Sequence, residues 1–260
     1  MGWRPRLVAL DIDGTLVDPV RVMPDSVAGA VSAVVDAGVP VVLTTGRGWA
    51  GTRLLVEALN LPPGQHVCSN GAVRVENPPM KVLETVTFDP TEVVDRVLAE
   101  HPEAMLAVEV GKEGFNVNRL FPEGELTGEL IVVDRDELVS QLVTRVVVRD
   151  PNASEDDFIR LAHRLGLEGV SYFIGYTAWL DIAPGVDKSY GLAAACADLG
   201  VDAADVLAIG DGRNDIEMLR WAGRGVALGD APDEVRSAAD HVTDLFDDDG
   251  TAKELLRWFG

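Results

Sequence analysis

Leu7-Val8-Ala9-Leu10-Asp11-Ile12-Asp13-Gly14-Thr15 is the stretch on which the reading of this chain turns. Four apolar residues read as a buried strand. Two carboxylates, one residue apart, follow where that strand should end and a loop begin. Carboxylates beside a core are costly unless a metal, a proton or a hydrogen bond compensates them. Two readings stand open here. In one, the pair belongs to a magnesium phosphotransfer site, with one Asp as nucleophile and the other as acid/base. In the other it is a turn or a helix N-cap, since Asp and Gly favour both.

The pattern of that first strand recurs on either side. Residues 26–37 predict a helix with Val27, Val31, Val34 and Val35 on one face and Gly38 as its stop. Residues 39–44 form the next strand and Gly46 opens another helix; 66–69 is a third strand, ending at Asn70-Gly71. Far along the chain, 190–199 is helical, 206–209 a strand ending at Gly210-Asp211, 216–222 a helix, and 225–228 a strand before Gly229-Asp230. Strands that do not alternate, separated by helices, predict an α/β class with a doubly wound parallel sheet covered on both faces. The middle differs. Residues 81–88, 105–110, 114–120, 126–133, 144–148 and 170–182 read as strands, several in hairpin-like pairs, and 154–165 as a helix with Phe158, Leu161, Ala162 and Leu165 on one face. Pro78-Pro79 and Pro184-Gly185 bracket this segment as hinges. An α+β domain, 78–184, is therefore expected inside a discontinuous α/β core, 1–77 and 185–260.

A chain of 260 residues, 47% hydrophobic and 25% charged, has room for both domains. Its net charge of −21 repels nucleic acid and anionic membrane surfaces, so neither is an expected partner. A phosphate is repelled at long range too, and any anion site has to be built locally from a metal, backbone N–H groups and one or two cations. Cys68 and Cys196, in apolar contexts, imply free thiols and no disulfide framework. No charged-then-apolar leader opens the chain and no apolar run approaches the ~20 residues of a membrane span, which reads as a cytoplasmic protein. His66, His101, His163 and His241 show no zinc spacing.

Five predicted strand ends carry polar or glycine-rich sequence: 11–15, 44–47, 69–71, 210–215 and 229–230. In an open parallel sheet these ends share one edge, where ligands bind. Asp211 and Asp215, four apart, fall on one side of a helical turn. With Asp11 they make an all-oxygen set suited to Mg²⁺; a capped turn is the alternative. Thr44-Thr45-Gly46-Arg47 offers a hydroxyl and unobstructed N–H groups at a helix N-terminus, a natural anion site. Lys188, just after the second hinge, is either a solvated charge or a phosphate ligand.

Taken in order, Asp11-x-Asp13-Gly-Thr, Thr45-Gly46-Arg47, Ser69-Asn70-Gly71-Ala72, Lys188 and Gly210-Asp211-Gly212-Arg213-Asn214-Asp215 resemble the haloacid dehalogenase (HAD) superfamily of phosphohydrolases, and within it the Cof-like subgroup. The resemblance spans essentially the whole chain. It implies a Rossmann-like HAD core with the inserted segment as a type C2 cap. It also implies Asp11 as nucleophile, Asp13 as acid/base, and Mg²⁺ held by Asp11, Asp211, Asp215 and the backbone carbonyl of Asp13. Thr45, Gly46 and Lys188 would bind the phosphoryl oxygens, with Asn214 orienting ligands. Arg47 and Asn70 are expected to face the crevice, Arg47 toward the non-phosphate part of the substrate. Arg213 is expected to be solvated or ion-paired, and Tyr172, Tyr176 and Trp179 to pack within the hairpins. Two positions depart from the pattern: Ser189 follows Lys188 where many relatives have Gly, and Asp230 stands where many have Asn. The implied activity is a phosphatase acting on a small phosphorylated metabolite, a sugar phosphate among the candidates. A phosphosugar mutase, a signalling receiver module and a non-catalytic phospho-ligand binder are the rivals. The receiver fits least, because its phosphoacceptor lies in a mid-chain strand and it carries no such insert.

Overall fold

The computed structural model describes residues 2–110, 114–166, 168–175 and 179–260. Its strands, in chain order, are β1 (Leu7–Leu10), β2 (Val41–Leu43), β3 (Gly64–Cys68), β4 (Val73–Asn77), β5 (Lys81–Thr85), β6 (Met105–Val110), β7 (Gly114–Val117), β8 (Glu129–Val132), β9 (Val146–Arg149), β10 (Ser171–Gly175), β11 (Trp179–Ala183), β12 (Val206–Gly210), β13 (Arg224–Ala227) and β14 (His241–Val242). The helices are α1 (Asp25–Asp36), α2 (Trp49–Ala58), α3 (Thr91–Glu100), α4 (Arg135–Leu138), α5 (Glu155–Leu165), α6 (Lys188–Leu199), α7 (Ile216–Trp221), α8 (Asp233–Ala238) and α9 (Gly250–Phe259).

The core sheet runs β14-β13-β12-β1-β2, all parallel, and one parallel bridge from Thr44 to Val67 carries it on to β3. Both faces are buried, as the unbroken apolar strands require. Val8, Leu10, Leu43 and Ile209 pack under α1, α2 and α9. Leu7, Ala9, Val42 and Ala208 face the other way, under α6, α7 and α8. In α1 the buried residues Val27, Ala30, Val31 and Val34 form the apolar stripe.

The second sheet, β10-β11-β9-β6-β7-β8, is antiparallel except for the β7–β8 pair. Alternation sorts its side chains. Leu106, Val108, Val146, Val148, Leu180 and Ile182 meet α3 and α5 on one face. Ala107, Phe115, Val117, Val147 and Trp179 form a smaller apolar patch on the other. The expected strand 81–88 divides: Phe88 bridges to Val143 and packs with the inserted sheet, whereas β5 turns back to the core side. β5 pairs with β4, β4 pairs with β3, and Met80 and Val82 pack on the core cluster. The prolines between the strands mark a turn, and a short turn joins neighbours in one hairpin; which sheet that hairpin extends is decided by packing, which the sequence does not display.

Candidate active site

Strand order brings the loops together. β13, β12, β1, β2 and β3 are successive neighbours, so the segments after β12, β1, β2 and β3 emerge side by side at the carboxyl edge. Asp11, Asp211 and Asp215 are all buried and present carboxylate oxygens within 4.8 Å of one another. Lys188, the first residue of α6, is wholly buried and donates from Nζ to Asp11 Oδ1 and to Asp215 Oδ1, both at 2.6 Å. Asp187 caps that helix by accepting from the N–H groups of Ser189 and Tyr190, and the Ser189 hydroxyl also donates to it. The departure at Ser189 thus serves the cap that aims Lys188.

The loops are shaped around these carboxylates. Asp215 Oδ2 accepts from the N–H groups of Asp211 and Gly212 at 3.1 and 2.9 Å, and Thr15 Oγ1 donates to Asp211 Oδ1 at 3.0 Å. Gly14 has φ +83°, where a side chain is strained, and a Cβ there would run into the Asp211 carboxylate. A Cβ at Gly210 would strike Asp215.

Lys188 pairs with two of the three carboxylates, those of Asp11 and Asp215, and the Asp211 carboxylate lies beside them. Burial, and next the Asp215 carboxylate, push the Asp11 carboxyl up to about 7, with Lys188 pulling the other way. Asp211 is raised well above the ordinary carboxylate value by burial and then by Asp11 and Asp215. Burial alone would lower Lys188, but Asp11 and Asp215 more than reverse that and raise it.

Asp13 is the outlying acid, more than half exposed, and Arg47 grips it with a fork: Nε to Oδ2 at 2.8 Å and Nη2 to Oδ1 at 2.5 Å. Arg47 is therefore turned onto Asp13 here. Thr45 is buried, its hydroxyl accepting from the Arg47 N–H at 3.1 Å. A Cβ on Gly46 would press against the Asn70 side chain, so Gly46 and Asn70 lie in contact. Asn70, buried with φ +53°, accepts from Asn214 Nδ2 at 2.9 Å and donates from its own Nδ2 to Asp181 Oδ2 at 3.4 Å. Arg213 is paired with Glu234, and Asp230 is exposed. Trp179 packs with the patch around Phe115, and Tyr172 packs on the α5 side; Tyr176 lies outside the described residues.

Sequence reasoning misses three residues. Glu109 (β6), Arg145 (just before β9) and Asp181 (β11) sit on adjacent strands and share the sheet face opposite α3 and α5. They meet the core loops directly. Arg145 Nη1 donates to the Gly46 carbonyl at 2.5 Å, Ser69 Oγ donates to Glu109 at 2.6 Å, and Asn70 reaches Asp181. Each is a buried charge set among apolar strand neighbours. That pattern is the signal that marks them in the sequence.

Residues 8–255 match the haloacid dehalogenase-like hydrolases. The chain belongs to that family. It is 34% identical to the phosphoglycolate phosphatase of Natronomonas pharaonis, over 96% of each chain. It is 28% identical to the 5-amino-6-(5-phospho-D-ribitylamino)uracil phosphatase YcsE of Bacillus subtilis, covering 97% of this chain and 95% of that protein. Among solved structures, a sugar phosphatase of HAD subclass IIB superposes with a TM-score of 0.82 at 25% identity, covering 96% of this chain and 98% of that one. The parallel core with a second sheet inserted is thus the HAD architecture, and this protein is a HAD-type hydrolase. Among its described residues no helix is long and apolar enough to cross a membrane.

Proposed function

We propose that this HAD-type hydrolase is a magnesium-dependent phosphatase that cleaves the monoester of a small phosphorylated metabolite through an aspartyl-phosphate on Asp11. The observation that carries the reading is the buried cluster itself. Asp11, Asp211 and Asp215 present carboxylate oxygens within 4.8 Å of one another, Lys188 pairs with Asp11 and Asp215, and burial disfavours the charge of Asp11 and Asp211. Such an all-oxygen, partly neutralised set fits Mg²⁺. Asp11, Asp211, Asp215 and the Asp13 carbonyl would hold it. Once bound, the ion would neutralise charge on the transferring phosphoryl group.

The protein's own groups divide the remaining work. An Asp11 carboxylate oxygen attacks phosphorus as the ester oxygen leaves, and Asp13 gives that oxygen its proton. In the second step a water attacks the same phosphorus, Asp13 takes its proton, and Asp11 is released with inorganic phosphate. Lys188 fixes the Asp11 carboxylate through Oδ1 and offsets charge beside it. Thr45, Gly46 and the N–H groups at the start of α2 receive the phosphoryl oxygens, and Asn214 acts by holding Asn70. Asp13 reaches the leaving oxygen only when the Arg47 fork, which engages both of its carboxylate oxygens, opens. Arg47 is thereby freed to meet the substrate.

The relatives named above are phosphatases of phosphoglycolate, of a phosphoribitylaminouracil and of sugar phosphates, so family membership leaves the leaving group open. The test is phosphate release from a panel of metabolite monophosphates with Mg²⁺, with Asp11→Asn and a chelated sample as blanks. Release by the wild type alone is expected. Near-wild-type turnover by Asp11→Asn would overturn the nucleophile assignment. Phosphoryl groups retained on an isomerised product would establish the mutase reading, and activity equal to the blank on every substrate the binding reading.

A further inference from the structure

The carboxylate cluster is tied to the C-terminal helix by a bond that the mechanism above leaves unused. Thr251, the second residue of α9, is buried, and its hydroxyl donates to the main-chain carbonyl of Thr15 at 2.7 Å, across 236 positions of sequence. Thr15 is wholly buried, and its own hydroxyl donates to Asp211 Oδ1 at 3.0 Å. Thr251, Thr15 and Asp211 therefore form one line of hydrogen bonds that ends on a carboxylate of the cluster.

The loop after β1 gives the first of these bonds its weight. Its internal hydrogen bonds gather on two carbonyls. The Ile12 carbonyl accepts from the N–H groups of Thr15, Leu16 and Val17 at 3.4, 2.8 and 3.0 Å, and the Val17 carbonyl accepts from Gly14 at 2.8 Å. None of these engages the Thr15 carbonyl, whose donor among the described residues is Thr251. The Thr15 N–H bond is also the longest of the set, so the loop alone holds this residue weakly. A buried carbonyl deprived of its donor turns toward another partner, and the Thr15 hydroxyl moves with it. The donor stands on a firm support. Ala252 and Leu255 of α9 pack in the same core cluster as Ile12 and Leu16. Thr243 Oγ1 donates to the Gly250 carbonyl at 2.9 Å, and Ser26 Oγ donates to Asp249, at the start of the helix, at 2.5 Å.

Resting on the magnesium reading, we propose that Thr251 is a positioning residue for the metal: its hydroxyl fixes the Thr15 peptide, Thr15 fixes the Asp211 carboxylate, and the affinity of the cluster for Mg²⁺ depends on the docking of the C-terminal helix. Groups that orient a metal ligand from outside the coordination sphere contribute about 10–100-fold to affinity. Thr251 acts through one further residue, which puts its share at the lower end, about tenfold. The site needs a hydroxyl rather than bulk. Valine matches threonine in shape but offers the carbonyl no donor, whereas serine keeps the donor and loses a methyl group.

The experiment follows the rise of Tm with Mg²⁺ concentration, from an EDTA baseline recorded for each protein, which reads metal affinity without turnover. It compares the wild type with Thr251→Val, Thr251→Ser, Ser26→Ala, Thr15→Val and the double variant of Thr15→Val with Thr251→Val. Thr251→Val should weaken the apparent Mg²⁺ affinity about tenfold, and Thr251→Ser should restore most of it. Phosphate release by Thr251→Val should recover at saturating Mg²⁺. Ser26→Ala loosens the same helix end without touching the line to Asp211; it should lower Tm and leave the Mg²⁺ affinity at the wild-type value. The double variant should bind Mg²⁺ no more weakly than Thr15→Val alone, because the two residues act in series. Unchanged affinity in Thr251→Val would overturn the proposal, as would equal weakening by Ser26→Ala or additive losses in the double variant. If Thr251→Val melts too early to titrate, Thr251→Ala carries the same comparison with Thr251→Ser. Failure of the underlying reading looks different: the wild type itself shows no rise of Tm with Mg²⁺ and releases phosphate equally well in EDTA.

Discussion

Replacing Lys188 by Met tests the architecture of the cluster at its buried ammonium. The Nζ lies 2.6 Å from a carboxylate oxygen of both Asp11 and Asp215, and none of these side chains is more than 6% exposed. Methionine keeps most of the volume and removes the charge, which leaves two buried carboxylates facing each other. Breaking a buried pair from one side costs about 3–5 kcal/mol. With an unfolding entropy of about 2.1 cal/mol/K per residue, the 260 residues give about 0.55 kcal/mol/K. A loss of about 4 kcal/mol then lowers Tm by about 7 °C. Melting curves are recorded in EDTA, so that no divalent ion substitutes for the lost charge; adding Mg²⁺ should narrow the gap. Acid should narrow it too. Asp11, already pushed up to about 7 with Lys188 present, rises further without it. The folded variant then binds more protons than the unfolded chain, so its deficit shrinks as pH falls from 7 toward 4. Phosphate release should drop by about 10²–10³-fold, as for removal of one preorganised charge-stabilising donor. A variant melting within 2 °C of wild type in EDTA, with a gap indifferent to pH, would refute the reasoning: Lys188 would then not be holding the carboxylates together.

Two further outcomes are expected. Burial holds the His66 imidazole down to about 4, with Nδ1 accepting from the Leu43 N–H. The neutral ring therefore contributes stability that is complete above about pH 6.5 and lost as pH falls toward 4. Wild type should lose about 2 kcal/mol from this source between pH 7 and pH 5, and His66→Leu should lose correspondingly less in urea titrations; equal slopes would remove His66 from the account. Gly14→Ala places a strained Cβ against Asp211, whereas Gly38→Ala strains a residue at φ +73° with open space around it. The first should cut phosphate release by about 10²-fold through displacement of the carboxylate. The second should cost about 1 kcal/mol of stability with turnover intact. Matching activities in the two variants would show that crowding at Gly14 is harmless.

Much of the core is legible in the amino-acid pattern. The run from Leu7 to Leu10 is apolar at every position because both faces of β1 are covered, and the Asp pair behind it marks the point where cover ends. Helix α1 announces itself by its valine spacing and α6 by the Asp187 cap. Lys188 stands out as a residue, but its burial between two carboxylates does not, since that depends on a strand and a helix 177 positions apart in sequence. The pairing of β5 with β4 is not legible in the sequence, because a hairpin carries only local information. Its allegiance to one sheet or the other is settled by where Val75 and Val82 find a core. Glu109, Arg145 and Asp181 stay hidden for a related reason. A charge within an apolar strand is visible in the sequence, but its meaning depends on what faces it across the crevice.

What the sequence alone determined is therefore the chemistry available: carboxylates at successive strand ends, a lysine at a helix start, a hydroxyl and glycine where backbone amides are exposed. Those follow from local rules of strand, turn and cap. The tertiary structure alone decided their company. It gathered Asp11, Asp211 and Asp215 around Lys188, turned Arg47 onto Asp13, and set Asp181, Arg145 and Glu109 against the Gly46 and Asn70 loops. Each of these contacts joins residues far apart in the chain. The cost of burying their charges depends on the partners that folding supplies, which no local pattern encodes.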